Sequence, residues 1–537
     1  MTLIKALLKL TLISVSLSAP LKAAEFENFE SAVSELPQTD FKTLPALLEG
    51  IAELDDPRIS ALLKHLSDGE VYFLKSDKKV FYVVDQADGS AQIVDVLSGD
   101  KVADIEKKQL NKVKTNNSIR KGIGQLQAQL NINHPDPDIR LTAAREMLAD
   151  VSRMSDKRLK SRLDKESDGD VLEVLTLISA LKQFTQDDTE SQFAALEQLD
   201  STLEPDVRQV LITASLDTEN YAPEVLAKIK DTMASIDNQR NLYSYAENIF
   251  FGLSLGSVLL LAAIGLAITF GVMGVINMAH GEMIMLGAYT TYVIQQWFPN
   301  LIEYSLLIAV PAAFIVSGTV GIIIERSVIQ FLKGRPLETL LATFGVSLIL
   351  QQLVRTVFSP LNRQVIAPEW MSGSWQINPV FSVTFNRLYI IVFSLVVFFM
   401  LLIFLKKSAL GLHVRAVAQN RDMARALSIR SNWVDAATFG LGSGIAGIAG
   451  VVLSQLTNVG PNLGQAYIID SFLVVVFGGV GNLWGTLVSA MTLGVLNKFL
   501  EPLTGPVMAT IIVLVGLVFF IQKRPMGLFP QKGRAVE

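Results

Sequence analysis

Long stretches without a single charged residue fill the second half of this 537-residue chain. No Asp, Glu, Lys or Arg occurs in residues 248–281, 304–324, 339–354, 388–405, 436–469, 471–497 and 502–522. A helix needs about 20 apolar residues to cross the hydrocarbon of a bilayer. A charge at that depth costs on the order of 3 kcal/mol. These stretches therefore predict membrane-spanning helices.

We predict nine helices in this half, at residues 249–271, 278–297, 304–325, 339–358, 387–405, 433–456, 465–480, 482–499 and 505–521. The seventh and eighth are separated by the glycine-rich segment Gly478-Gly-Val-Gly-Asn482. This segment leaves open a broken or re-entrant pair, because glycine interruptions of membrane helices are tolerated where neighbouring protein satisfies the backbone. The expectation is therefore eight or nine crossings.

Charge divides the chain near residue 247. Residues 25–247 contain 41 acidic and 26 basic residues, whereas residues 248–537 contain 10 acidic and 17 basic ones. The first region has the composition of a soluble domain and the second that of a membrane domain. We divide the chain into residues 1–24, 25–246, 247–523 and a tail at 524–537. The predicted fold class is an all-α polytopic membrane protein preceded by a mainly helical soluble domain.

The first 24 residues have the features of a secretory signal peptide. Lys5 and Lys9 precede an apolar run at residues 10–17, and small residues follow as far as Ala24. The run is too short to span a bilayer stably, and cleavage is expected after Ala23 or Ala24. A short uncleaved anchor is the alternative. In either case the following domain is exported, which places it in the periplasm.

The soluble domain combines a small sheet with helices. Three β-branched and aromatic runs, at residues 71–74, 80–84 and 92–96, predict a three-stranded meander within residues 71–102. Between residues 119 and 240 apolar residues recur at helical spacing. Three of these helices start with similar sequences, at Asp138, Asp170 and Asp206, which are 32 and 36 residues apart. This period suggests helical repeats resembling HEAT repeats.

Lys and Arg residues set the expected topology. Three lie in residues 326–338, six in residues 406–430 and four from Lys523 to the end. Loops rich in Lys and Arg stay in the cytoplasm, so these three segments are expected there. An exported front domain and a cytoplasmic tail together require an odd number of crossings. The loop at residues 359–386, which contains Arg363, fits this scheme least well.

Several kinds of chemistry are excluded. The chain has no cysteine, which rules out disulfides, thiol catalysis and Cys-ligated metals. Its four histidines form no local metal motif, and no P-loop for ATP is present. We expect no cofactor, no bound metal, no catalytic residues and no nucleic-acid partner. If transport consumes ATP, another subunit supplies it.

Several motifs in the second half resemble one family. They are Gly252-Leu-Ser-Leu-Gly256, Gly274-Val-Ile-Asn-Met-Ala-His-Gly-Glu282, Ala424-Arg-Ala-Leu-Ser-Ile429, Val476-Phe-Gly-Gly-Val-Gly-Asn-Leu-Trp-Gly485 and Arg524-Pro-Met-Gly-Leu-Phe-Pro530. In this order they resemble the permeases of branched-chain amino acid ABC importers (LivH type). The segment Ile264-Gly-Leu-Ala-Ile-Thr-Phe-Gly-Val-Met-Gly274 and the long exported domain are similar to the urea-importer branch, the UrtB type.

The resemblance implies partners that composition does not show. It implies a second permease subunit, two ATP-binding subunits, a periplasmic substrate-binding protein and a bacterial inner membrane. Such an importer would move its substrate to the cytoplasm by ATPase-driven alternating access. Urea is the expected substrate. Branched-chain amino acids or short amides are the alternative, and an ATP-independent solute channel is an alternative of another class. For a membrane-anchored hydrolase or sensor, the sequence offers no pairing of nucleophile and base and no set of metal ligands.

The cytoplasmic segment at residues 408–433 is a candidate for coupling to an ATPase. We predict an amphipathic helix at residues 414–429, because a short helix between two spans can dock in a groove of a soluble subunit. The family resemblance places the contact at Asp422, Met423, Ala424, Ala426, Leu427 and Ile429, next to Arg421. Coupling motifs of the family have a glycine near the position of Ser428, so the register stays open. An ordinary positive loop is the alternative.

Four polar residues within the spans are candidates for the substrate path. Asn277, His280 and Glu282 form one group beside glycines at a helix junction, and such groups pair with each other or line a wet cavity. The alternative is that His280 and Glu282 cap helix ends and pin the second span. Asp470 is the fourth, because it precedes the glycine-rich break. Thr343 and Gln351 are weaker candidates.

Overall fold

The computed structural model describes residues 26–529, apart from residues 27, 53, 55, 86–90, 103–109 and 155. The predicted signal peptide at residues 1–24 and most of the tail at residues 524–537 lie outside this part. The chain divides into two compact units, with the boundary between Asp237 and Asn238. The helix Pro223–Met273 runs through this boundary.

The first unit begins with a small helical and β layer. Three helices, α1 (Phe29–Glu35), α2 (Leu44–Ala52) and α3 (Arg58–Asp68), precede the strands β1 (Val71–Leu74), β2 (Val80–Asp85), β3 (Ala91–Asp95) and β4 (Leu110–Lys112), and α4 (Asn117–Asn131) follows them. The strands form one antiparallel sheet in the order β3-β2-β1-β4. β1 to β3 are the predicted meander, which is confirmed, and β4 is a fourth strand that the sequence did not reveal.

The rest of the first unit is helical. It contains α5 (Pro137–Leu148), α6 (Asp156–Leu163), α7 (Gly169–Phe184), α8 (Thr189–Gln198) and α9 (Pro205–Leu216), and the start of α10 (Pro223–Met273) packs on them. Helices α5, α7 and α9 do begin at the similar sequences around Asp138, Asp170 and Asp206. These aspartates lie in the first turn, while the N-cap residues are Asp136, Asp168 and Glu204.

A fully paired carboxylate connects two of these helices. Arg140 on α5 donates to both oxygens of Glu166, Nη2 to Oε1 at 2.8 Å and Nε to Oε2 at 3.0 Å. Arg162 donates to Oε2 at 2.6 Å, and the backbone N–H groups of Ser167 and Asp168 donate to Oε1. Burial raises the pKa of Glu166, but these hydrogen bonds outweigh it and lower the pKa to about 2.

The second unit is built from long apolar helices. They are the remainder of α10, α11 (His280–Trp297), α12 (Ser305–Ser327), α13 (Pro336–Phe358), α14 (Phe385–Lys407), two short helices α15 (Ala409–Gln419) and α16 (Arg421–Ala426), then α17 (Ser431–Ser454), α18 (Leu463–Gly478), α19 (Leu483–Thr504) and α20 (Pro506–Lys523). A two-stranded hairpin, β5 (Ser374–Gln376) with β6 (Ser382–Thr384), precedes α14.

A helix forms at each of the nine predicted positions. Within the described residues, seven helical segments are long and apolar enough to cross a membrane by length and composition: Pro223–Met273, Pro299–Phe331, Pro336–Phe358, Phe385–Lys407, Ser431–Ser454, Leu483–Thr504 and Pro506–Lys523. α11 is not among them, and α18 is shorter. The predicted break between the seventh and eighth helices is confirmed, with Gly479 and Gly481 at positive φ.

α17 forms the centre of the second unit. It packs on both α11 and α12, and nearly all of its residues from Val434 to Ser454 are buried. Its glycines permit this close packing. A Cβ added at Gly450 would lie 1.9 Å from the carbonyl oxygen of Ile284, and one added at Gly447 would lie 2.6 Å from that of Ala313. The backbones of three helices therefore meet in direct contact.

Contacts between loops show which helix ends lie together. Lys333, after α12, reaches Asp435 at the start of α17. Arg363, after α13, pairs its backbone with Val459, after α17. The tail joins the C-terminal end of α18, because the N–H groups of Leu528 and Phe529 donate to the carbonyl oxygens of Phe477 and Gly478. These three pairs are consistent with helices that alternate in direction through the unit.

Candidate functional site

Glu282 lies in the first turn of α11, with only 1% of its surface exposed. One carboxylate oxygen, Oε1, accepts hydrogen bonds from Ser347 Oγ at 2.9 Å and from Gln351 Nε2 at 2.7 Å. The other oxygen, Oε2, is buried and has no hydrogen-bond partner within the described part of the chain. A buried carboxylate that is only half satisfied by neutral donors retains an open acceptor position.

His280 and Asn277 lie beside Glu282 but are held differently. His280 is fully buried, and its Nε2 is 2.9 Å from the carbonyl oxygen of Ala262 on α10. Its Nδ1 has no partner among the residues described. Asn277 Oδ1 accepts from the N–H of Ala279 at 3.0 Å, which shapes the turn before α11. Neither the His280 nor the Glu282 side chain caps a helix, so the capping part of the structural alternative is wrong. Both side chains do hold the start of α11 to other helices, as pinning of the second span requires.

The partners of Glu282 belong to a polar stripe along α13. Thr339, Thr343, Ser347 and Gln351 recur every four residues, so they share one face of the helix, and all four are buried. Thr343 Oγ1 also accepts from the N–H of Met278, in the turn before α11, at 3.1 Å. Most of the rest of α13 is apolar and exposed. This helix therefore presents its hydrogen-bonding groups to the interior of the unit and its apolar side chains outward.

Asp470 is not brought into this group. It lies half-buried on α18, and in the described residues no hydrogen bond or ion pair joins it to Glu282. α18 itself approaches α11 at its start, where a Cβ added at Gly281 would lie 2.6 Å from the carbonyl oxygen of Gly464. Asn277, His280 and Glu282 thus lie together at the start of α11, and Asp470 lies apart from them. Ser347 also belongs to this group. Its spacing of four residues from Thr343 and Gln351 could have indicated that it lies on the same face of α13.

The predicted coupling helix at residues 414–429 is wrong as a single helix. Asn420 is extended, with φ −153°, and separates α15 from α16. Its side chain caps α16 by accepting from the N–H of Met423 at 2.9 Å. A side chain that caps one helix ends the preceding one, so the helical spacing of Val417, Ala424 and Leu427 spans two helices instead of one.

α16 presents a distinct outer surface. Met423 is 59% exposed and Leu427 is 69% exposed, and Asp422 and Ala426 are exposed as well. Ala424 is buried and Ile429 is half-buried, so these two predicted contact residues pack inward. Met423 and Leu427 together form a small exposed apolar surface that a partner could cover. The contact with an ATPase stays a prediction, and the residues exposed for it are Asp422, Met423, Ala426 and Leu427.

Ser428 ends α16 in the left-handed region, with φ 63°. Its N–H donates to the carbonyl oxygen of Arg425, and the N–H of Ile429 donates to that of Ala424. This closing pattern favours glycine at the left-handed position. A glycine near this position, as in the coupling motif that the sequence resembles, would adopt this left-handed backbone without strain. Here serine occupies the turn.

A buried ionic cluster ties α16 to the spans. Asp435 on α17 is fully buried and accepts from Arg421 in bidentate fashion, at 2.6 Å and 3.1 Å. Lys333 donates to the same carboxylate at 2.7 Å and lies 3.5 Å from Glu325 on α12. Arg421 thus anchors α16 rather than facing outward. Nothing in the sequence indicated that Asp435 and Glu325 take part in this cluster or that Lys333 joins them.

These features separate into two assemblies, one at Glu282 and one at α16. The first offers neutral hydrogen-bonding groups and one free carboxylate oxygen in a buried position. The second joins an exposed apolar surface to two long helices through a charged cluster. No group of three or more His, Asp or Glu side chains in the described residues could hold a metal ion. The arrangement suits binding and motion rather than bond chemistry.

A family model for the permease component of branched-chain amino acid transport systems matches residues 248–522. This is the region that carries both assemblies, and it comprises half of the chain. The chain belongs to this permease family.

Individual relatives agree with that membership. The branched-chain amino acid transport permease protein BraD of Pseudomonas aeruginosa is 30% identical over 298 residues, which are 53% of this chain and 96% of BraD. LivH of Escherichia coli K12 is 28% identical over 294 residues, 53% of this chain and 95% of LivH. The ribose import permease protein RbsC of E. coli K12 is 26% identical over 264 residues, 47% of this chain and 78% of RbsC. No solved structure matches.

The chain is a multi-pass transport permease subunit and not an enzyme. Nearly half of it has no counterpart in BraD, because BraD is almost fully covered by 53% of this chain. Relatives that carry the names of both amino acid and ribose permeases show that membership of such a group leaves the substrate open.

Proposed function

We propose that this chain is the membrane-spanning permease subunit of an ATP-binding-cassette importer for urea in a bacterial inner membrane. The observation that supports a small neutral substrate is the polar stripe of α13. Its hydroxyl and amide groups converge on Glu282 with no ion pair between them. Urea offers four N–H donors and one carbonyl acceptor, which such groups and the free Oε2 can satisfy.

The additional first unit also favours the urea branch. BraD and LivH are nearly fully covered by the match and have no region corresponding to it. The sequence resembles the urea-importer permeases in carrying an exported domain of this length. The proposal for urea therefore depends on the whole chain and not on the permease region alone.

Transport of a branched-chain amino acid is the second candidate. The relatives BraD and LivH are named as permeases for these substrates. Arg355 lies one turn beyond Gln351 on α13, and its Nη2 donates to Asn462 Oδ1 at 2.7 Å. Glu282 and Arg355 would supply the two opposite charges that a zwitterion requires. Short amides would use the neutral groups alone.

We infer nine crossings with the first unit in the periplasm. The three Lys- and Arg-rich segments then fall in the cytoplasm. The side-chain contacts support this topology, because Lys333 and Arg421, from two of these segments, both bind the carboxylate of Asp435. Arg363 pairs with Val459, which places its loop at the opposite ends of the spans. α11 and α18 complete the nine crossings as shorter helices within the packed unit.

We infer that α16 contacts an ATP-binding subunit. Met423 and Leu427 would enter a groove of that subunit, with Asp422 and Ala426 at the rim. Arg421 and Asp435 would pass the motion on to α17, and Lys333 would pass it on to the end of α12. An importer of this kind further requires a second permease subunit, a second ATP-binding subunit and a periplasmic binding protein.

The first unit resembles a short array of HEAT-like repeats, with α5, α7 and α9 starting 32 and 36 residues apart. Helical arrays present extended surfaces to protein partners. We infer that it helps to dock the binding protein, and a stabilising cap is the alternative. Unchanged docking after removal of residues 25–240 would dismiss the docking role.

Uptake of labelled urea tests the substrate. Cells that lack the gene are compared with and without the restored chain, in the presence of excess leucine. Uptake that requires the chain and ignores leucine is the expected result. Leucine import that requires the chain, with urea uptake unchanged, would assign it to the amino acid candidate.

A charged substitution in α16 separates an ATP-driven importer from a channel. Leu427→Glu should abolish uptake while the protein still reaches the membrane, because a charge in an apolar contact is strongly unfavourable. Leu216→Glu is the matched control, since Leu216 is 78% exposed in the first unit. Flux that survives Leu427→Glu would favour a channel.

A further inference from the structure

An open cavity lies beside α16, where α12 ends and α17 begins, and its volume is about 550 Å³. Eight residues line it, and three of them are the arginines Arg326, Arg425 and Arg430. Ser431, Asn432 and Trp433, from the first turn of α17, form another side. The cavity is separate from both the Glu282 group and the exposed Met423 and Leu427 side chains.

The arginines in this cavity are only partly neutralised. Arg326 Nε is 3.7 Å from the Glu325 carboxylate, and its Nη2 is buried without a hydrogen-bond partner in the described residues. Arg425 Nη1 is 3.6 Å from Asp422, and its Nε donates to Ser431 Oγ at 3.0 Å. Arg430 is exposed and forms no ion pair within the part of the chain described. Since Glu325 also faces Lys333, positive charge remains in excess.

The backbone adds further donors to the same cavity. α17 is 24 residues long, and its N-cap residue Arg430 contributes no side-chain acceptor. The first N–H groups of a helix have no partner within the helix, and the helix dipole makes this end partly positive. Three guanidinium groups, of which only the Arg326 Nη2 atom is buried, and the first backbone N–H groups of α17 therefore border the same cavity, as in anion-binding helix N-termini.

The position of the cavity identifies the kind of anion. Arg326 lies 4.5 Å above the ring of Trp433, which is 63% exposed. Tryptophan is enriched at the membrane–water interface, and these two residues lie at the ends of two spans. Basic pockets between membrane helices bind lipid head groups. We propose that this cavity binds the phosphate of an anionic phospholipid, such as phosphatidylglycerol, and that the lipid stabilises the junction of α12, α16 and α17.

Lipid retention by the purified full-length chain tests this proposal. Native mass spectrometry is performed after incubation with phosphatidylglycerol or with phosphatidylcholine. Preferential retention of phosphatidylglycerol is expected. Arg430→Gln should weaken it about tenfold, because a charge-assisted hydrogen bond to phosphate is lost. Arg326→Gln should act in the same direction. Arg335→Gln is the control, since Arg335 is exposed and pairs with Glu338 outside the cavity.

Three outcomes would overturn the proposal. The first is equal retention of the two lipids. The second is an equal effect of Arg430→Gln and Arg335→Gln. The third is displacement of phosphatidylglycerol by inorganic phosphate at the same concentration, which would assign the cavity to a free anion. Because Arg430 is exposed and forms no described ion pair, its substitution leaves the packing of α17 intact.

Discussion

α17 and α13 are both predominantly apolar helices, yet they are used in opposite ways. α17 is buried on all sides and touches its neighbours through glycines, so that backbone meets backbone. α13 buries one polar stripe and exposes most of its apolar residues. A helix held by direct backbone contact has little freedom to move, whereas one held by a few hydrogen bonds can shift or separate.

This difference indicates a division of labour within the unit. α17, with α11 and α12, forms a fixed scaffold that ends in the Asp435 cluster. We propose that α13 forms one wall of the substrate path at Glu282. In a transporter the moving part and the substrate site are expected to share an interface. The predictions below test whether the two helices differ as this division requires.

The largest effect is expected from Asp435→Asn at the end of the scaffold. Removal of one partner from a buried ion pair costs about 3–5 kcal/mol, because the remaining charges are left uncompensated. Arg421 would lose its carboxylate partner, and Lys333 would keep only Glu325, 3.5 Å away. Thermal unfolding of the purified chain should show the loss. Glu338→Gln, which removes an exposed pair with Arg335, should change stability little, and equal effects of the two substitutions would contradict the role of the cluster.

A pair of glycine substitutions compares the two helices directly. Gly450→Ala places a Cβ 1.9 Å from the carbonyl oxygen of Ile284, whereas a Cβ at Gly345 on α13 meets nothing within 4 Å. Overpacking of this kind costs about 1–3 kcal/mol. Folded yield by size-exclusion chromatography should fall for Gly450→Ala and stay unchanged for Gly345→Ala. If both variants are tolerated, α17 is not a rigid scaffold.

Gln351→Ala should affect transport more than stability. It removes a donor to Glu282 in a place that α13 packs loosely. A hydrogen bond to a charged group contributes about 1.5–3 kcal/mol, so the uptake rate should fall roughly tenfold or more. Gln352→Ala on the exposed side is the control. An equal loss of uptake in the two variants would remove Gln351 from the path.

The smallest effect is expected from Ser428→Gly. Glycine adopts the left-handed conformation at φ 63° without the penalty that other residues incur. The variant should gain up to about 1 kcal/mol of stability, with uptake unchanged. Ser431→Gly, at the first helical position of α17, should lose stability instead. A loss in Ser428→Gly would mean that its hydroxyl has a further role.

The spans could be predicted from the sequence because one local property decides them. An uncharged run of about 20 residues has few alternatives to a membrane helix. The break at Asn420 was not predicted, because the spacing of Val417, Ala424 and Leu427 fits one helix as well as two. Only the extended backbone of Asn420 distinguishes them.

The site was predicted only in part, because its contacts are distant in sequence. Glu282 could be singled out as an acid in an apolar stretch, but its donors Ser347 and Gln351 are 65 and 69 residues away. Asp435 lies inside the predicted span 433–456 and beside an uncharged run, and nothing near it in the sequence indicates its partners. Arg421 was predicted to lie at the ATPase contact and Lys333 to set the topology, but their shared contact with Asp435 bridges 14 and 102 residues.

Reactivity of single cysteines tests whether α13 faces a water-accessible path while α17 stays closed, since the chain contains no cysteine of its own. Ser347→Cys on the polar stripe and Ser443→Cys on α17 each replace one buried serine. The variants are treated in membranes with a water-soluble, membrane-impermeant thiol reagent. We expect the cysteine at 347 to react and substrate to slow that reaction. We expect the cysteine at 443 to stay unmodified. An unreactive cysteine at 347 beside a reactive one at 443 would contradict this expectation.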